Sequence, residues 1–179
     1  MNKVLEKVSE KEEKVSGSEP LKVCFVCTGN TCRSPMAAAL LTDMGRVPEI
    51  CSACPPDIYM RRPIIASSAG LSVVPGMPIS QNAVEALKRA GVRALPGNDY
   101  TSHKARLVDG SDFLFSDIVV GISSAHAMEL MGRFPQFASK ITCMPEDIPD
   151  PFGGDIDEYS ACLEKIKACI ERMFFGKKD

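Results

Sequence analysis

Hydrophobic residues along the chain alternate between short continuous runs and longer periodic stripes. Residues 22–26 (KVCFV) form a β-branched and aromatic run, the pattern of a strand buried on both faces. The run feeds into CTGNTCRSP and then into MAAALL at 36–41, a strongly helix-forming segment. Residues 64–69 (IIASSA) predict a second strand, closed by Gly70. Ser80 precedes Ala83, Val84, Leu87 and Ala90, which keep helical spacing until Gly91 ends the helix. Residues 117–122 (DIVVGI) predict a third buried strand. Ser123 or Ser124 then caps a helix that runs to Arg133 and stops before Pro135. Residues 140–144 (KITCM) predict a fourth strand. Tyr159, Cys162, Leu163, Ile166, Cys169, Ile170 and Met173 hold the i, i+3, i+4 rhythm of one long helix over 156–175. Strands that alternate with helices predict an α/β fold, a parallel sheet covered on both faces.

Two segments depart from this pattern. Residues 1–19 are rich in Lys, Glu and Ser, with only a thin stripe of Val4, Leu5, Val8 and Val15. They read as a solvated extension, and residues 20–179 as the folded domain. Residues 45–63 hold four prolines and the pair Cys51 and Cys54, and they read as a surface excursion. The 179 residues are 45% hydrophobic and 25% charged, the mix of one globular domain. No run of about 18 apolar residues predicts a membrane span. The first 15 residues lack the apolar core of a secretory signal, so a cytoplasmic protein is expected. A net charge of −2 speaks against a nucleic-acid partner. Eight cysteines in such a chain are expected to stay reduced, most of them as small buried hydrophobes. Cys51 and Cys54 offer two metal ligands where a structural zinc site needs four, so no metal and no cofactor are expected.

The remaining question is which cysteine is reactive. In Cys27-Thr-Gly-Asn-Thr-Cys-Arg33-Ser34 a strand ends and a helix begins. Backbone N–H groups are unpaired there and the helix end is positive, which favours an anion. Gly29 allows a tight turn that brings amides close, and Asn30 tolerates a left-handed conformation. Arg33 supplies a planar fork for two phosphate oxygens. Cys27 enters the same positive field, which favours its thiolate and aims a nucleophile at a bound phosphate. Ser34 can donate a hydrogen bond to that sulfur. The plainer alternative, a buried cysteine in an ordinary glycine turn, leaves the arginine and asparagine without a purpose. A proton donor is still needed. Asp150 in PEDIPDPFGG is a candidate, with Asp147 and Asp155 as competitors. From the residues alone, a turn-forming Asp-Pro is the simpler reading of that segment.

These residues resemble the low-molecular-weight protein tyrosine phosphatase family across about residues 21–175. The resemblance rests on VCFVCTGNTCRSPMA at one end and DPFGG before a terminal helix at the other, with SSAG and SHKAR between them. It implies a single three-layer α/β domain of the phosphotyrosine protein phosphatase I type, with a four-stranded parallel sheet in flavodoxin-like order. It implies a monomeric phosphatase acting on phosphorylated proteins, with Cys27 as nucleophile, Arg33 as phosphate binder and Asp150 as general acid. Thr28, Gly29, Asn30, Thr31, Cys32, Ser34 and Phe152 would surround the substrate. Asn30, Ser34, Ser68 and His103 would form a network that holds the loop. Cys32 matches a loop cysteine that can form a reversible disulfide with Cys27.

Thr31 sharpens the substrate. Tyrosine phosphatases of the family usually carry Ile or Leu there, whereas the similar bacterial protein arginine phosphatases carry Thr, and CTGNTCRSPMA resembles theirs. A hydroxyl on a smaller branch admits a polar guanidinium, where Ile would pack on an aromatic ring. Phosphoarginine is therefore the expected substrate and phosphotyrosine the alternative. Arsenate reductases on this fold relay oxidation to two further cysteines after the third strand. Here only Cys143 lies in that region, and Ser34-Pro35 replaces their usual Ser-Gln. A module that only binds phosphoproteins would usually lack Cys27, Arg33 or Asp150, and all three are present.

Overall fold

The structure is a computed structural model that describes residues 19–46 and 63–176. Residues 1–18 and the Cys51/Cys54 segment, on which two of the expectations above fall, lie outside the described residues. The first buried run forms strand β1 (Leu21–Cys27), central to a four-stranded sheet with β2 (Ile64–Gly70), β3 (Ile118–Gly121) and β4 (Ile141–Cys143). The order is β2-β1-β3-β4 and every pairing is parallel. The chain goes from β1 to one side for β2, then returns to the other side for β3. Between β1 and β3 the winding therefore reverses, and the carboxyl ends of those strands border a crevice.

Alternate residues of β1 serve two cores. Val23, Phe25 and Cys27 join one cluster with helices α1 (Arg33–Met44), α2 (Gln81–Arg89) and α5 (Ile156–Phe174). Cys24 and Val26 join the other with Phe113 of α3 (Gly110–Phe115) and Ala127 and Leu130 of α4 (Ser124–Arg133). Side-chain alternation along the strand thus produces the three layers. The α5 stripe read from the sequence is buried at Tyr159, Cys162, Leu163, Ile166, Cys169 and Ile170. Among the described residues no helix is long and apolar enough to cross a membrane.

Three local features differ from expectation. Helix α1 begins at Arg33, three residues before the apolar segment, so the end of the glycine loop already lies in its first turn. Helix α3 was absent from the hydrophobic pattern; a capping box between Asp109 and Asp112 starts it instead. Ser80 stands at the N-cap of α2 without capping it, because its hydroxyl donates to Tyr159 at 3.0 Å.

Gly70 closes β2 against the loop that follows β1. A Cβ there would lie 2.7 Å from the carbonyl oxygen of Thr28 and 2.4 Å from Cγ1 of Val73. The backbone carbonyl cannot swing aside as a side chain could. The Gly70→Ala variant is expected to lose about 1–3 kcal/mol of stability, the usual range for overpacking. Chemical denaturation checks this, and an unchanged midpoint would contradict the close approach.

Candidate active site

The loop from Cys27 to Arg33 is shaped around Asn30, which is wholly buried with φ of 56°. Asparagine adopts this left-handed backbone more readily than other side chains. Both hydrogens of its amide nitrogen are used, by Ser34 Oγ and Ser68 Oγ, each at 3.0 Å. Its amide oxygen accepts from the Arg106 backbone N–H at 3.0 Å, and its carbonyl from His103 Nε2 at 2.8 Å. Helix, second strand and the His103 segment are therefore tied to one residue. A carbonyl only accepts, so His103 carries its hydrogen on Nε2. Arg106 is fixed in turn by Asp112, whose oxygens accept from Nη1 and Nη2 at 2.9 and 2.6 Å.

Cys27 Sγ lies 3.0 Å from Ser34 Oγ. The Ser34 hydroxyl has one hydrogen and two acceptors in reach, Cys27 Sγ and the Ala69 carbonyl at 3.2 Å. With a neutral thiol, Ser34 can point to Ala69 and accept the thiol hydrogen. With a thiolate, its hydrogen turns to the sulfur while the Asn30 amide still donates to its oxygen. The network therefore accommodates either form of the sulfur without moving a heavy atom.

Arg33 emerges from the first turn of α1, and Cys32 at its N-cap makes no side-chain cap. Arg33 Nη1 donates to the Ile148 carbonyl at 3.3 Å, Nη2 pairs with Asp150, and Nε is buried without a partner. A buried orphan donor beside an uncapped helix start is suited to an arriving oxyanion. Asp150 is held by the Phe152 backbone N–H, which donates to its other oxygen at 3.2 Å. Its two sequence competitors are engaged elsewhere. Asp147 accepts from the Ser124 backbone and hydroxyl at 2.7 and 3.1 Å, and Asp155 caps α5 in a box with Glu158. Cys27, Thr28, Gly29, Asn30, Thr31, Cys32, Arg33, Asp150 and Phe152 line one pocket of about 250 Å³. Ser34, Ser68 and His103 lie behind it as supports. Phe152 stands at its mouth, 77% exposed.

One residue at this site escaped the sequence reading. His126, buried in the first turn of α4, sits 3.0 Å from Thr28 Oγ1 through Nε2 and 2.7 Å from Ser123 Oγ through Nδ1. It reaches the loop because β1 and β3 are neighbours whose carboxyl ends meet. The available signal was weak: a histidine just after a capping serine, in the turn after a strand next to the loop strand. Burial holds both histidines below the ordinary imidazole range, and for His126 the charge of Arg33 adds to this.

The other cysteines divide by environment. Cys24 and Cys162 are pushed up to about 12, chiefly by burial, and stay protonated thiols. Cys169 is buried in α5, and the half-buried Cys143 of β4 packs against the second core cluster. Cys32 lies 3.1 Å from the Tyr159 hydroxyl. Ser80 donates to that hydroxyl, which leaves its hydrogen for the sulfur, and burial together with this bond raises the Tyr159 phenol to about 12. Among the described residues no three His, Cys, Asp or Glu side chains converge as a metal site.

A cysteine and an arginine on one strand–loop–helix turn at the switch point of a parallel sheet make a candidate phosphatase-type α/β site. Known proteins place it in a family. The family model for low molecular weight phosphotyrosine protein phosphatase matches residues 22–178. A protein-arginine-phosphatase of Geobacillus stearothermophilus is 30% identical over 161 residues, covering 86% of this chain and 94% of that protein. A low molecular weight protein-tyrosine-phosphatase of Streptomyces coelicolor is 30% identical over 160 residues, with 82% and 87% covered. Among solved structures, a low molecular weight protein tyrosine phosphatase from T. tengcongensis superposes with a TM-score of 0.72 at 29% identity, covering 86% of this chain and 97% of that one. The chain belongs to the low molecular weight phosphotyrosine protein phosphatase family, and so to the hydrolases that act on phosphorylated protein.

The lowered histidines set an acid limit on stability. In the unfolded chain both protonate near about 6.5, but in the fold only at lower pH. The unfolded state therefore binds more protons once pH drops below about 6.5, and stability falls from there towards the folded values. The lowered Asp99 and Asp109 act only near and below their ordinary value of 3.8, outside this window. Denaturation between pH 7 and 5 is expected to show the decline and His126→Gln to flatten part of it. An identical slope in the variant would contradict the assignment.

Proposed function

We propose that the protein hydrolyses phosphoarginine in proteins through a cysteinyl-phosphate, with Cys27, Arg33 and Asp150 as the catalytic residues. The thiolate of Cys27 attacks phosphorus and forms the S–P bond as the P–N bond to the arginine side chain breaks. Asp150 gives its proton to the departing nitrogen, so the arginine side chain leaves as its ordinary guanidinium. Arg33 and the backbone N–H groups from Thr28 to Ser34 hold the phosphoryl oxygens and offset the charge that builds on them. In the second step Asp150, now a carboxylate, takes a proton from water while the water oxygen bonds to phosphorus. The S–P bond breaks, and phosphate and the Cys27 thiolate result. Ser34 stabilises that thiolate as the leaving group.

Support for the chemistry is the convergence in one pocket of a thiol, a buried unpartnered guanidinium nitrogen and a carboxylate with no capping duty. Support for the substrate is Thr31. It lines the pocket together with Phe152, and its hydroxyl, 3.6 Å from Cys32 Sγ, is a polar group that Ile would lack. Overall identity does not separate the substrates, since a relative named for phosphoarginine and one named for phosphotyrosine both stand at 30%. The exposed ring of Phe152 favours the second reading, phosphotyrosine, because it can stack on an aromatic substrate. The unit that does this is residues 20–179, acting as a monomer on protein substrates. The six described cysteines are unpaired, and a free nucleophilic thiol suits a reducing compartment such as the cytoplasm.

The Cys27→Ser variant is expected to show no turnover above background; retained activity would refute the mechanism. Asp150→Asn is expected to lower kcat by about 10²–10⁴-fold, the usual worth of a general acid. Wild type is expected to prefer phosphoarginine peptides over phosphotyrosine peptides, and Thr31→Ile to shift the kcat/KM ratio towards phosphotyrosine by about 10-fold or more. A wild type that prefers phosphotyrosine would establish the second reading.

A further inference from the structure

The 250 Å³ pocket accommodates one phosphorylated side chain, so the polypeptide that carries it must lie outside. A larger groove of about 950 Å³ opens there, and Thr31 and Phe152 line both cavities. From this shared rim the groove follows α2. The Ser80 backbone N–H donates to the Thr31 carbonyl at 2.8 Å, which anchors the start of α2 to the phosphate loop. Met77, 47% exposed, and the half-buried Val84 supply apolar surface along the groove.

Charge along the groove is uneven. Glu85 and Arg89 neutralise each other at 3.1 Å. Lys88, exposed on the last turn of α2, forms no ion pair among the described residues, so the groove ends on one uncompensated positive charge. Eight residues of helix separate Ser80 from Lys88, about 12 Å at 1.5 Å per residue. An extended chain advances about 3.3 Å per residue and covers that span in three or four residues.

We propose that the α2 groove is the docking surface for the substrate polypeptide and that Lys88 reads an acidic side chain three or four residues from the phosphorylated one. This rests on the phosphatase reading above and adds the sequence context that the site selects. The continuity of the groove with the pocket fixes the occupant as the flank of the same chain. The lone lysine fixes its charge.

The test compares phosphopeptides with Glu or Lys three and four residues away, on either side, using the full chain. Para-nitrophenyl phosphate serves as a substrate without flanks. For wild type, a Glu peptide is expected to have a KM about 2–5-fold lower than its Lys counterpart, the scale of an exposed ion pair, with kcat unchanged. The difference should vanish near 1 M salt, where the screening length is about 3 Å. Lys88→Glu is expected to reverse the preference and Lys88→Gln to abolish it, with para-nitrophenyl phosphate turnover unchanged in both. Equal KM values for Glu and Lys peptides, or a preference that survives in Lys88→Glu, would overturn the proposal. The two readings fail separately. Para-nitrophenyl phosphate turnover that persists in Cys27→Ser sinks the catalytic reading, whereas charge-blind peptide kinetics with normal Cys27-dependent turnover sinks only the docking surface.

Discussion

Asn30 holds a left-handed backbone in the interior, and each polar atom of its side chain has a partner. A buried amide left without partners costs about 1–3 kcal/mol, so this side chain cannot drift without breaking several bonds at once. The loop amides, Cys27 and Arg33 inherit its rigidity. Ser34 links it to the sulfur, Ser68 to β2, His103 and Arg106 to the segment before α3. The Arg106–Asp112 pair then connects the loop to a helix on the opposite face of the sheet. Preorganisation of this kind is what an oxyanion site needs, because donors that are already aimed need no reorganisation during reaction.

Much of this was legible in the chain because it is local. The KVCFV run, the glycine loop and the alanine-rich helix follow one another in sequence, and each has its own periodicity or composition. The α5 stripe is legible for the same reason, since the faces of a helix repeat within a few residues. What the pattern missed depends on partners far apart. His126 meets Thr28 across 98 positions, and its significance comes from strand order, which hydrophobic spacing does not encode. The diversion of Ser80 to Tyr159 spans 79 positions and overrides a good local capping signal. Helix α3 is short and rests on two aspartates, so no apolar stripe announces it.

The three candidate aspartates differ in what surrounds them. Three aspartates lie within nine residues of one another, and all three are acceptors for backbone N–H groups. Asp147 closes the first turn of α4 and Asp155 that of α5, both structural posts at helix starts. Asp150 accepts from one nearby amide and turns its other oxygen to Arg33 in the pocket. Its place is set by the Pro-rich turn rather than by a helix, and it lines the pocket with Cys27 and Arg33.

Helix starts differ along the chain. Side chains of Asp109, Ser123 and Asp155 close α3, α4 and α5, whereas α1 and α2 begin without a side-chain cap. Helix α1 begins from Cys32 with no side-chain cap and no acidic residue in its first turn, directly beyond the carboxyl end of the central strand. An uncapped start is a cost when nothing fills it, since its donors lose water without gaining a partner. At α1 an anion can supply that partner. The orphaned Nε of Arg33 points to the same conclusion from a side chain rather than from backbone. An uncapped helix start and an orphaned guanidinium nitrogen thus meet beside Cys27. The phosphoryl group proposed as substrate would serve both.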